Sequence, residues 1–215
     1  MSIMTAKRSN LIRNSVASLA AACVAFVAVA AGPDHDHQAK VGEKAPNFKL
    51  TDLEGTEHEL SDFTEDGKIV VLEWFNSGCP FVKKHYRDDT MTMNKLADKY
   101  RNQNVVWVRI NSGAPGKQGT GLELNQKIAK DWDIKDPILL DESGKVGKMY
   151  NAKNTPAMAV IDANGTLAYW GAIDDDRGGR NAGETNYVDL ALTALINGES
   201  VETAQTKPYG CSVKY

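Results

Sequence analysis

Residues 69–80 read Ile69-Val70-Val71-Leu72-Glu73-Trp74-Phe75-Asn76-Ser77-Gly78-Cys79-Pro80, and the fold turns on this stretch. A β-branched, aromatic and aliphatic run, interrupted by Glu73 alone, follows a turn at Asp66-Gly67. Such a near-continuous apolar run predicts a central strand buried on both faces. Asn76-Ser77-Gly78 closes the strand, and Pro80 suits the first position of a helix, where its missing N–H would have had no partner. Cys79 therefore falls where a buried strand turns into a helix. Free backbone N–H groups and the positive end of the helix dipole favour thiolate over thiol there. Cys79 is a candidate nucleophile, with Lys83 one turn on adding positive potential. Gly78 and the helix start predict an exposed sulfur; the competing reading is a small buried apolar residue.

Beyond Pro80, Val82, Tyr86, Met93, Leu96 and Tyr100 recur at helical spacing, while Lys83, Lys84, Arg87 and Asp88 take the other side. Asp88-Asp89-Thr90 offers caps for a second segment, so the helix is expected to kink or split there. His85 reads as a surface or loop-facing residue. Further on come a strand at 105–110, a helix at 122–132, a short strand at 138–140, a helical turn at 146–150 and a strand at 157–161. A turn at Ala163-Asn164-Gly165, a strand at 166–170 and a helix at 187–196 follow. Strands joined by Asn-Gly form a hairpin. Upstream lie a strand at 47–50, a turn at Leu53-Glu54-Gly55 and a second extended piece toward Phe63. The order predicts an α/β fold: a mixed central sheet with helices on both faces.

The chain has 215 residues, 42% of them hydrophobic and 25% charged, which excludes collagenous, wholly disordered and multi-span membrane classes. Lys7, Arg8 and Arg13 precede an apolar run at 16–31 ending in Ala28-Val29-Ala30-Ala31. This is read as a signal peptide over 1–31, cleaved near Ala31; an uncleaved anchor is the alternative. Cys23 lies inside the apolar run instead of at its end, which argues against a lipid-attachment site. Removal of the segment takes three cations and no anion, moving the formal charge from −3 to −6 and making nucleic acid an improbable partner. Two cysteines remain, Cys79 and Cys211, a pairable number in an oxidising compartment.

Residues 32–40 read as a flexible linker, residues 41–200 as the folded domain and residues 201–215 as a tail carrying Cys211. Asp34-His35-Asp36-His37 has no further ligands to complete a metal site. Asp174-Asp175-Asp176 lacks EF-hand spacing and reads as a solvated loop, and residues 113–118 fail as a P-loop. No metal or other cofactor is expected.

Cys79-Pro80 at a helix start, Thr155-Pro156 before a late strand and the following hairpin together resemble the thioredoxin fold. Ala45-Pro46-Asn47-Phe48 and the stretch from Asp52 to Leu60 are similar to the opening of AhpC/TSA redoxins and TlpA-like exported reductases. Gly78-Cys79-Pro80-Phe81-Val82, Ile173-Asp174-Asp175-Asp176-Arg177 and Gly210-Cys211-Ser212-Val213-Lys214 resemble a peroxiredoxin-like branch. The resemblance covers residues 41–215. It implies Cys79 as the redox nucleophile, Pro156 as a cis-proline shaping the substrate groove, and Glu73 as a buried acid behind the cysteine. Burial raises the pKa of such an acid, allowing it to exchange a proton; the other reading is a carboxylate at the sheet edge, reaching solvent.

Val82 stands where the resemblance puts a second cysteine. Asn76 and Leu72 stand where peroxiredoxins carry threonine and proline. Those enzymes also hold peroxide with an arginine near the place of Pro156, so a lower peroxidase rate is expected. Arg109 either substitutes for it or reaches out of its strand end to pair with an acidic loop. Thr155, Asn76 and Arg109 complete the candidate groove around Pro156.

For Cys211 three readings stay open: a resolving thiol, a permanent clamp worth about 4–5 kcal/mol on the chain-entropy model, or no bond with Cys79. The expected function is an exported, periplasmic thiol–disulfide oxidoreductase acting on protein or small-molecule disulfides and served by a thiol electron donor. Secretion or signal anchoring are alternatives for location. A slow, antioxidant thiol peroxidase and a non-catalytic binding module are alternatives for function.

Overall fold

The computed structural model describes residues 38–215; the expected signal peptide, Cys23 and most of the linker lie outside the described residues. In chain order the elements are β1 (Lys49–Asp52), β2 (Glu57–Glu59), α1 (Leu60–Glu65), β3 (Ile69–Trp74), α2 (Pro80–Lys83), α3 (Thr92–Tyr100) and β4 (Val105–Asn111). Then follow α4 (Leu122–Asp131), β5 (Ile138–Leu140), α5 (Lys145–Met149), β6 (Asn154–Thr155), β7 (Ala157–Ile161), β8 (Leu167–Gly171), α6 (Tyr187–Ile196) and β9 (Cys211–Ser212).

One mixed sheet runs β2-β1-β5-β4-β3-β7-β8. β3 is buried at every position, because β4 flanks it in parallel and β7 antiparallel while helices cover both faces. Its side chains alternate between two cores. Val71 and Phe75 pack with Met93 and Leu96 of α3 and Val188 and Leu192 of α6. Val70, Leu72 and Trp74 pack with Leu60 of α1 and Val146 of α5. The carboxyl end of β3 is thereby held rigidly where Cys79 begins.

Two local expectations change. The piece expected to extend toward Phe63 stops at Glu59, because Leu60 and Phe63, three positions apart, face the same core as a helical turn. The helix after Cys79 does split, into α2 and α3, but without an aspartate cap: α3 follows Met91 in the left-handed conformation, with φ at 46°. Thr90 instead turns its hydroxyl back to the carbonyls of Lys84 and Arg87.

The last residues are bound into the structure. Ala204 and Thr206 hydrogen-bond Trp170 along β8, and β9 then pairs antiparallel with β6, placing Cys211 opposite Thr155. Beyond it the Val213 N–H reaches the Lys153 carbonyl at 3.0 Å, and the Lys214 carbonyl accepts from the Ala114 N–H at 2.7 Å. Among the described residues no helix is long and apolar enough to cross a membrane.

Candidate active site

Cys79 precedes α2 as its cap residue, with Pro80 in the first turn. The turn that presents it is shaped by Asn76, whose Oδ1 accepts from the Gly78 N–H at 2.8 Å and whose Nδ2 donates to the Gln118 carbonyl at 2.9 Å. Across from it lies the cis Thr155-Pro156 peptide. The Cys79 thiol donates to the Thr155 carbonyl at 3.1 Å, so β6 and the start of α2 meet at the sulfur.

The exposed sulfur expected from Gly78 is not found: Cys79 has 0% of its surface exposed. The sulfur belongs to the core cluster, and the tail lies against it. Pairing of β9 with β6 lays Cys211 over the same Thr155 whose carbonyl Cys79 contacts. Both cysteines are free thiols, Cys79 buried and Cys211 half-buried.

Burial works against ionisation of Cys79, but the neighbouring Cys211 and Thr155 side chains and the backbone N–H groups of Cys211 and Val82 outweigh it and hold the pKa below the ordinary thiol value. Cys211 moves the other way, to about 11, through burial first and then its contact with Cys79. Of the two thiols, Cys79 is therefore the one that ionises first and Cys211 the one that holds its hydrogen longer. The Thr155 hydroxyl beside it is buried and has no hydrogen-bond partner.

The remaining groove residues fall elsewhere. Arg109 is a correction: it is fully buried and lies in the core opposite Glu73 on the neighbouring strand, not beside Pro156. Its Nε donates to the Tyr86 hydroxyl at 2.7 Å, Nη1 to Asp136 at 3.2 Å and Nη2 to Asn94 at 3.3 Å. Only the bond to Asp136 matches the expected reach toward an acidic loop. Asn76 is buried too and acts on the backbone of the turn.

Glu73 is not at a sheet edge. It is enclosed in β3, accepts from the Tyr86 hydroxyl at 2.8 Å on each oxygen and from Trp107 at 3.0 Å, and stands 3.4 Å from Arg109. Burial drives its pKa up against the pull of Arg109, Tyr86 and Trp107. Cys79 is not among its partners.

Three residues read as solvent-facing are buried: Lys84, His85 and Asp174. They converge on Tyr209, two positions before Cys211, whose hydroxyl donates to Asp174 and meets His85 Nε2 at 3.0 Å. The one signal for this in the sequence is a tyrosine between proline and glycine in a polar tail, since a large aromatic with a polar tip is costly to leave unplaced. Beside the Ser77-Gly78 turn opens a groove of about 1100 Å³ with Tyr86, Met91, Leu124 and Trp132 in its walls; Cys79 does not line it.

Residues 41–170 match the model of the AhpC/TSA family. The chain is 30% identical over 132 residues to the thiol-disulfide oxidoreductase ResA of Bacillus thuringiensis subsp. konkukian, covering 61% of this chain and 69% of that protein. It is 34% identical over 128 residues to the ResA of Geobacillus kaustophilus, covering 59% and 66%. An uncharacterized conserved protein from Geobacillus kaustophilus superposes with a TM-score of 0.73 at 32% identity, over 82% of this chain and 92% of that one. The fold is thioredoxin-like, as the order of strand, cysteine, proline and hairpin led us to expect.

Proposed function

Given that the chain belongs to the AhpC/TSA family and is an oxidoreductase of the thiol–disulfide class, we propose that Cys79 and Cys211 are its redox pair. The observation that carries this reading is the β6–β9 pairing, which sets Cys211 opposite Thr155, the residue Cys79 touches. Val82 stands where a local partner cysteine would be, and the tail supplies the second sulfur from 132 positions away in sequence.

In the reducing direction, the tail parts from β6 and the Cys79 thiolate attacks one sulfur of a substrate disulfide. The substrate S–S bond breaks, a Cys79–substrate disulfide forms, and the first substrate sulfur leaves as a thiolate. Cys211 then gives up its proton and attacks the Cys79 sulfur, which releases the second substrate sulfur and leaves a Cys79–Cys211 disulfide. Two electrons pass to the substrate; an external thiol donor restores the pair. β9 spans only two residues, so local parting of this ladder is the natural access step. Thr155 and Pro156 bound the substrate side of the sulfur, while Glu73 supports the strand behind it.

The peroxide reading draws no support from Arg109, whose guanidinium is committed to Tyr86, Asp136 and Asn94. Export rests on the basic and apolar N-terminal stretch; the site chemistry fits an oxidising compartment, where such a pair cycles.

The test mixes reduced protein with glutathione disulfide or, separately, hydrogen peroxide, and maps bonds by mass spectrometry. Glutathione disulfide should yield the Cys79–Cys211 bond, and Cys211→Ser should stall as a Cys79–glutathione adduct. Rapid peroxide oxidation to the same bond would shift the assignment to a thiol peroxidase. Two thiols that stay free under both oxidants would favour the binding module.

A further inference from the structure

The tail reaches Cys79 at the end of a buried device that none of the steps above uses. Tyr209 is 5% exposed although it lies in the last seven residues of the chain. Its ring packs against Phe81, with centroids 6.1 Å apart, and carries the Lys84 ammonium 4.7 Å above it. Its hydroxyl donates to Asp174 Oδ1 and lies 3.0 Å from His85 Nε2.

The hydrogens can be assigned. With the phenol proton given to Asp174, the phenol oxygen is an acceptor toward His85, so His85 donates from Nε2 and carries no hydrogen on Nδ1. That is consistent with a buried Nδ1 that finds no partner. Lys84 holds the other side of the pocket, donating to the carbonyls of Asp176 at 2.6 Å and Gly178 at 2.8 Å and standing 4.0 Å from Asp174. Asp174 is further tied by the Gly183 N–H at 2.6 Å. Lys84 and Asp174 thus have partners besides the tyrosine, and its hydroxyl fits between one donor and one acceptor.

Only Gly210 separates this slot from the reactive sulfur. At Gly210 φ is +113°, and a Cβ there would stand 2.1 Å from the Thr155 carbonyl oxygen, so the chain passes flat against the acceptor of the Cys79 thiol. A residue anchored on one side of that glycine fixes the position of Cys211 on the other.

Resting on the Cys79–Cys211 reading, we propose that Tyr209 is the positioning residue of the tail thiol: its hydroxyl, locked between His85 and Asp174, holds Cys211 in contact with Cys79. Intramolecular exchange depends on the effective concentration of one thiol at the other, which falls when the tether loosens. Removal of the hydroxyl leaves a buried His85 donor without a partner and takes one donor from Asp174. The tail then spends more time off β6.

The experiment titrates the full-length protein against reduced and oxidised glutathione and counts intramolecular disulfide against glutathione adduct by mass. Tyr209→Phe, with folding checked by circular dichroism, should lower the Cys79–Cys211 equilibrium constant at least about tenfold and raise the midpoint pH for Cys79 alkylation, because the Cys211 donors leave the thiolate. Tyr215→Phe, which loses a tail hydrogen bond to the Ala152 carbonyl on the far side of Cys211, should stay within about twofold of the unaltered protein. Equal losses in the two variants, or no loss in Tyr209→Phe, would overturn the assignment. If Tyr209→Phe does not fold, His85→Leu removes one of the two partners and must shift both readouts the same way; an unchanged equilibrium there counts against the proposal. Cys211→Ser separates the two readings. If it still gives a glutathione-resistant Cys79, the redox pair itself fails, whereas a stalled adduct with Tyr209→Phe unchanged sinks only the positioning role.

Discussion

Two buried polar clusters leave the same stretch of chain in different directions. Glu73, Tyr86, Asn94, Trp107, Arg109 and Asp136 form one of them. Its members come from β3, the α2–α3 segment, β4 and the approach to β5, and no tail residue takes part. Lys84 and His85 open the other, which closes only when Tyr209 arrives across 124 positions of sequence. The first is ionic, interior and complete within the sheet layer. The second depends on a peripheral segment and sits beside the two cysteines. The contrast is one of location: the first cluster is enclosed among the central strands, and the second is completed by the tail.

The largest effect should come from the fixed cluster. Arg109→Met removes the cation from an enclosed Glu73 and should cost about 3–5 kcal/mol in urea unfolding, while the Cys79–Cys211 equilibrium of the folded fraction shifts less than about twofold. A tenfold shift would mean that the clusters act as one unit and would break the comparison.

Removal of residues 207–215 should reverse the pattern. Loss of the buried Tyr209 side chain costs about 2–3 kcal/mol, and uncovered Cys79 should react with iodoacetamide at least about tenfold faster. A Cys79 still protected in the truncated protein would show that something other than the tail buries it.

Gly210→Ala sharpens the distinction further, since the new methyl meets the Thr155 carbonyl at a positive φ. It should cost about 1–2 kcal/mol and accelerate Cys79 alkylation while leaving the Glu73 cluster intact, which near-ultraviolet dichroism of Trp107 would register.

The smallest effect is acid dependence. Burial, and then the neighbouring Lys84 charge, lower the His85 pKa from 6.5 to about 3. The unfolded chain binds this proton first, so stability falls as the pH drops below 6.5 and continues to fall until His85 itself titrates near 3. Between pH 7 and 5.5 the contribution is about 1 kcal/mol. It should vanish in His85→Gln; an unchanged pH slope in that variant would place the acid sensitivity elsewhere.

Much of this molecule was legible from residue pattern alone. The apolar run at β3, the Asn-Gly hairpin of β7 and β8 and the helical period of α6 each report burial through local spacing, and the structure places them within a residue or so of expectation. Cys79 at a strand-to-helix junction was legible for the same reason. Side chains whose partners lie far along the chain were not. Arg109 near a strand end looks the same in sequence whether it lines a groove or crosses the core to Glu73, and Lys84 and His85 look like a solvated face until Asp174 and Tyr209 cover them.

The sequence by itself determined the order of elements, the placement of a cysteine at the mouth of the central strand and the presence of a second thiol in the tail. These follow from side-chain period and backbone chemistry, which act over a few residues. Tertiary structure decided that Cys211 pairs opposite Thr155, whose carbonyl Cys79 contacts, and that Cys79 is buried. Those outcomes rest on contacts of the tail, the β6–β9 ladder and the Tyr209 bonds among them, whose free energy exists only once distant segments have been brought together.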